Sequence, residues 1–245
     1  MLSLDKAKVL AGEPIPINEF ITLTQPKIRD VIQFGEQKYF SVFHSLGSIP
    51  SDMKSTLWDM NVDFTKISDW ELFISISRMF KKEDTQIILG EIDLSSAEIL
   101  VDNETGNTVL STEQGIITEE IYNDFIPYIR EMVGYTVKRE KPANKITKMA
   151  LIEEDRLNRL KPKKGKDDSF LFSTIISLVN TEEFSYTYES VMDITVYQLM
   201  KSFLQIQNKK SACALYQGSM SGFMDTSKIN KSHFNWVYSE DKFKD

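Results

Sequence analysis

The side chains of this chain that could do chemistry near neutral pH are two histidines, one cysteine and a run of carboxylates. Zinc needs three or four converging ligands, and His44, His233 and the sole Cys213 lie in unrelated segments. His44 follows Phe43 at the end of a predicted helix and His233 precedes Phe234, so both read as helix-end or packed side chains, not as bases. Cys213, between Ala212 and Ala214 late in an apolar-faced helix, reads as a buried, inert thiol with no base positioned to activate it. Glu153, Glu154 and Asp155 are adjacent, but consecutive helical residues point in different directions, so they read as a solvated face and not as an acid and base pair. The glycine patterns that cradle phosphate, Gly-x-x-x-x-Gly-Lys-Ser/Thr and Gly-x-Gly-x-x-Gly, do not occur. The expectation is a noncatalytic chain without catalytic residues, metal or cofactor.

Charge carries more information. From Lys138 to Lys166 eleven Lys and Arg stand against four Asp and Glu, a local +7 in a chain of net −7, which leaves −14 for the rest. Such polarity steers association and says little about fold. Lys138, Arg139, Lys141, Lys145, Lys148, Lys161, Lys163, Lys164 and Lys166 are therefore the candidate partner-binding residues. The segment admits three readings: a solvated helix and loop, docking to an acidic protein surface, or contact with phosphates. Single-strand binders interleave aromatic residues among their cations, and no Phe, Trp or Tyr lies between Lys138 and Lys166. The chain's net negative charge also opposes unspecific attraction to nucleic acid.

Composition bounds the setting. With 41% apolar and 27% charged residues the chain has the balance of a globular protein with a sizeable core. A single cysteine allows no internal disulfide and fits a reducing compartment. Asp5, Lys6 and Lys8 interrupt the opening residues, so no secretory signal is expected there. The longest charge-free apolar stretch, Phe170 to Thr181, falls short of the roughly 20 residues that a membrane-crossing helix needs.

The elements that must carry these residues are mostly helical. Pro14 and Pro16 predict an extended N-terminal arm over 1–24. Thr24 as cap and Pro26 in the first turn predict a helix ending at Gly35, and Tyr39, Phe40 and Phe43 a second one stopped near Gly47. Ser51 is the predicted cap of a third, and Ser68 with Glu71 has the spacing of a capping box. Gln86–Leu89, Ala97–Val101 and Thr108–Leu110 read as short antiparallel strands, an insertion near 85–111. Thr118 caps a helix to Val133 in which Pro127 predicts a kink or break, and Asn144 caps another from Lys145 to Leu160. The apolar-free stretch 161–168 reads as a charged linker, followed by a C-terminal helical part over 169–245. In that part Phe170–Val179 and Ile194–Tyr216 are the helices, Phe184, Tyr186 and Tyr188 mark a short extended segment, and Ile229–Trp236 adds a helical turn. The fold class expected is mainly α with a small antiparallel β insertion, α+β, with bundle-like packing in a helical domain over 25–160.

Two segments carry a resemblance. Thr24-Gln25-Pro26-Lys27-Ile28-Arg29-Asp30-Val31-Ile32-Gln33-Phe34-Gly35-Glu36 with Tyr39, and the closing stretches Ile194–Gln198 and Gly218–Trp236, resemble proteins of the tail-gene modules of tailed phages and prophages of Gram-positive bacteria. The resemblance implies a tail assembly chaperone or other tail morphogenesis factor that binds tape-measure, tube or baseplate subunits in the host cytoplasm. A tail or baseplate subunit that stays in the virion is the alternative, and a regulator touching nucleic acid through 138–166 is a further one. The resemblance assigns no residue a role.

Overall fold

The computed structural model describes residues 4–103, 105–161, 169–221 and 229–237. Among them ten α-helices and two small antiparallel sheets make an α+β fold dominated by helix, the class expected from sequence.

The first turn of chain departs from the predicted arm. Asp5 accepts hydrogen bonds from the amides of Ala7 and Lys8, Gly12 closes the other end at φ 75°, and a helix forms between them, α1 (Lys6–Ala11). The prolines govern only the residues after Gly12, where β1 (Ile15–Pro16) pairs antiparallel with β2 (Thr22–Leu23) across a turn held by Asn18 Oδ1. Val9, Ile15, Ile21 and Leu23 are all buried, so the segment is part of the core and not an arm.

Helix α2 (Ile28–Phe34) begins four residues after the predicted cap. Thr24 donates its amide to Ile88 O at 2.8 Å, and Asp30 Oδ2 receives the Lys27 amide at 2.9 Å in its place. Gly35, at φ 101°, turns the chain into α3 (Glu36–Leu46). Pro50–Asp52 is a 3₁₀ turn in which Asp52, not Ser51, takes the capping bond, from the Ile49 amide at 2.8 Å, and α4 (Lys54–Asp59) comes next. The Ser68 and Glu71 capping box opens α5 (Asp69–Ser77) as predicted.

Gln86–Leu89 is helix, not strand: it ends α6 (Lys82–Leu89). Glu83 and Asp84 suit the positive end of a helix, and Thr85, Ile88 and Leu89 bury at helical spacing, which outweighs a short Ile-rich run. The β insertion therefore starts later, with β3 (Glu98–Val101), β4 (Thr108–Ser111) and β5 (Ile116–Ile117) in sheet order β3-β4-β5. Thr118 caps α7 (Glu119–Met132), which runs through Pro127 as one element. Proline removes the bond to the carbonyl four residues back, but Phe125, Ile126, Tyr128 and Ile129 around it are buried and keep the helix together.

Asn144 caps α8 (Lys145–Leu160), Ser169 caps α9 (Phe170–Val179), and Thr195 with Gln198 boxes α10 (Val196–Met220). Phe184, Tyr186 and Tyr188 form no strand, and Ser190–Asp193 and Lys231–Phe234 are 3₁₀ turns. Of the predicted linker 161–168, only Lys161 lies within the described residues.

One core joins residues from both sides of that linker, from Val9, Phe43 and Phe73 to Leu171, Ile175, Val191 and Leu199. An aromatic group centres it, with Phe73 4.8 Å from Tyr122 and 5.7 Å from Trp70 between ring centroids. A second, smaller cluster is separate: Leu57, Phe64, Leu72 and Ile152.

Candidate interaction surfaces

Helix α8 is amphipathic, yet its predicted apolar face buries just Ile152. Full burial of one such side chain contributes about 1.5–3 kcal/mol, too little to seat sixteen residues. Polar contacts to α4 and the loop after it supply the rest. Asp155 Oδ2 accepts from the Ser55 amide at 2.9 Å and its hydroxyl at 2.6 Å, and Arg159 reaches the hydroxyls of Ser55 and Thr56. Arg156 pairs with Asp59 at 2.5 Å and with Glu153 at 2.8 Å. Lys148 pairs with Asp63, and this contact, with bonds from Thr65, pulls the Asp63 carboxyl down to about 2.

The strand of chain before α8 is tied in the same way. Arg139 makes a bidentate pair with Asp69, both bonds 2.8 Å, and Lys54 reaches Glu140 at 2.5 Å. Asp69 also receives Arg130 Nη2 at 3.2 Å. Burial acts to raise the Asp69 pKa, and the bonds and charges of Arg139 and Arg130 outweigh it, so the carboxyl stays below its ordinary range.

Three of the nine sequence-predicted partner-binding cations are engaged by other groups of the chain. Arg139 and Lys148 neutralise buried or half-buried carboxylates, and Lys161 bonds Asn158 Oδ1 at 2.7 Å. Lys138, Lys141 and Lys145 are exposed and carry no ion pair among the described residues. Lys163, Lys164 and Lys166 lie outside the described residues. Lys141 and Lys145 stand with Arg139, Lys148, Trp58, Phe64 and Met149 around a groove of about 670 Å³. The carboxylates predicted to be solvated divide: Glu154 is exposed, whereas Asp155 is the acceptor that holds Ser55.

A second surface was not anticipated. Helix α9 has no charged residue and buries Leu171, Ile175 and Leu178, while Phe172 is 65% exposed and Phe170 and Ile176 are also exposed. Phe172 and Ile176 line an apolar cleft of about 530 Å³ with Ile32, Tyr188 and Met192. Glu36 sits at its rim, accepting from the Ser169 hydroxyl and from the Leu171 amide at 2.9 Å, so that α3 caps α9. The signal was present in the sequence: a ten-residue helix with seven large apolar residues and no charge has more apolar surface than one neighbouring layer can cover.

Other sites of possible chemistry stay apart. His44 Nε2 donates to Val133 O at 3.2 Å, and His233 lies exposed in the last 3₁₀ turn. Cys213 is exposed, not buried: Ala212 is the residue that α10 turns inward there. Among the described residues no group of three or more His, Cys, Asp and Glu is placed to hold a metal ion, and no helix is long and apolar enough to cross a membrane.

Residues 163–238, less than a third of the chain, match a family model described as the YomV second domain. The matched stretch holds α9, α10 and the last 3₁₀ turn. The match suggests a phage-derived protein of the Bacillus prophage kind. No curated protein and no solved structure matches.

Proposed function

We propose that this protein is a noncatalytic phage tail-assembly factor that binds other tail proteins through its exterior and keeps them soluble before assembly. The observation that carries the reading is the apolar cleft along α9, whose Phe172, Ile176 and Tyr188 lie open to water. Apolar side chains left open around a cleft support a site of protein contact. Phe172, Ile176, Tyr188 and Met192 of its lining fall within the stretch that matches a phage-associated family, and Ile32 and Glu36 lie outside it. The exposed row Ile146, Met149, Leu157 and Leu160 on α8, beside Lys141 and Lys145, offers a second patch that joins apolar and basic character. Its clients are tape-measure, tube or baseplate subunits, and it works in the cytoplasm of the bacterial host.

The test is capture from induced cells with a tagged chain, comparing the natural sequence with a variant carrying Phe172→Ser and Ile176→Ser. Recovery of named tail proteins by the former, lost in the latter while melting temperature holds, supports the reading. Recovery of no tail protein overturns it. Stoichiometric presence of the chain in purified particles would favour a structural subunit of the tail or baseplate. Binding to duplex or single-stranded DNA that falls steeply with salt would favour the nucleic-acid reading.

A further inference from the structure

The three-stranded sheet ends on an open edge. Among the described residues β3 pairs with β4 alone. Asp102 donates its amide to Asn107 O at 2.9 Å, so that pair is hydrogen-bonded, and alternation along an antiparallel ladder makes Leu100 with Val109 and Glu98 with Ser111 the next bonded pairs. The far side of β4 agrees. Thr112 donates to Gly115 O at 3.0 Å, which makes Leu110 with Ile117 the bonded pair on the β5 side. Ile99 and Val101 therefore turn their N–H and C=O groups outward, away from β4.

Their side chains continue the core. Ile99 lies across from Leu110, and Leu110 across from Ile117, so the three share a face, and both Leu110 and Ile117 are buried. Ile99 and Val101 stand on that same face yet are 44% and 63% exposed, and Leu100 on the opposite face is exposed as well. The apolar layer runs out to the edge and stops there. Proteins often blunt such an edge with lysine, proline or a bulge; β3 has none of these, and its protection is limited to its length of four residues and the charge of Glu98.

The charge around the edge is mainly acidic, although Lys82 pairs with Glu91 at 2.7 Å and lies near Glu113. Between Glu83 and Val137 twelve Asp and Glu stand against Arg130 alone. Glu98 opens β3, Asp102 succeeds it, and Glu113 lies in the turn after β4. Two copies paired edge to edge would bring these acidic hairpins together, which like charge disfavours.

We infer that the β3 edge is a strand-addition site for an extended segment of another protein, with aliphatic residues on the core side alternating with Lys or Arg. Main-chain bonds from Ile99 and Val101 supply the affinity, and the acidic surround selects the charge. The inference rests on the partner-binding reading only in that the ligand is a protein segment, and it uses a surface distinct from the α9 cleft.

The test titrates the full chain, nitrogen-15 labelled, with a synthetic octapeptide alternating Val and Lys and with one alternating Val and Glu. The expected result is slowed amide exchange at Ile99 and Val101 with the Val/Lys peptide, none added at Leu100, and at least about tenfold weaker binding of the Val/Glu peptide. Val101→Pro removes an edge donor without taking a ladder bond, and is expected to weaken binding about tenfold. Val101→Lys does the same by charge and serves where the proline variant fails to fold. No protection at Ile99 and Val101, equal binding of both peptides, or protection already present in a peptide-free dimer would each overturn the inference. Failure here with capture of tail proteins intact would remove the edge and leave the cleft reading standing.

Discussion

Arg139 grips Asp69 with both ends of its guanidinium while Arg130 holds the same carboxylate from the interior, so one aspartate at the start of α5 joins the basic segment to the core. The two arginines are not equivalent. Arg139 has a side chain 56% exposed against 11% for Arg130, and Arg130 also donates to Gly47 O at 2.8 Å.

Asp69→Ala is expected to cost about 3–5 kcal/mol, because it strands a buried guanidinium. Arg139→Ala, which opens only the exposed arm, is expected to cost about 1 kcal/mol or less. Urea denaturation of the two variants measures the difference. Equal losses would show that the interior pair is not the one that matters.

Acid should loosen α8 and the segment before it. Asp63 is ordinarily near 3.8 and stands at about 2 when folded, and Asp69 is shifted the same way. A depressed carboxylate contributes stability that is full above its unfolded pKa and is lost as pH falls through the folded one. Stability is therefore flat above about pH 5 and declines between about pH 4 and 2. Asp63→Asn, tracked by circular dichroism against pH, should be less stable at neutral pH and show a shallower acid decline. An unchanged acid slope would refute the assignment.

Glu36 holds the start of α9 from outside that helix. Glu36→Ala is expected to cost about 1–2 kcal/mol, as loss of a helix cap does, and to speed amide exchange at Leu171. Glu36→Gln, which keeps one acceptor, should recover part of the loss. Exchange at Leu171 unaffected by either substitution would show that Ser169 caps the helix unaided.

The cations divide by what they touch. Reversal of Lys138, Lys141 and Lys145 to Glu, or of Lys161, Lys163, Lys164 and Lys166 to Glu, is expected to weaken partner capture with melting temperature nearly unchanged. Lys148→Glu faces Asp63 and is expected to lower the melting temperature by several degrees. A large thermal loss from either set would show that those lysines are structural.

Caps and stops were the most legible features. Ser68 with Glu71, Thr118, Asn144 and Gly35 act where their chemistry places them, because a cap is a contract between residues three apart. Local rules failed where distant atoms took over the groups involved. Thr24 was drawn to Ile88 O and left the cap to Asp30, and Ile87 with Ile88 packed as helix once the core offered a face to bury. The site was less legible than the fold. The charge reversal at Lys138 was plain, but its acceptors Asp59, Asp63 and Asp69 lie some 70 to 97 residues away along the chain, beyond any spacing rule.

From its residues alone the chain was bound to be a mainly helical α+β protein with a strongly basic stretch set in an acidic background, since composition, periodicity and capping act over a few neighbours. Which of those cations face inward, which side of α9 is left bare and where the sheet ends were decided by packing. Each depends on atoms that only the closed chain brings within a few ångströms, and at that range burial and pairing outweigh local preference.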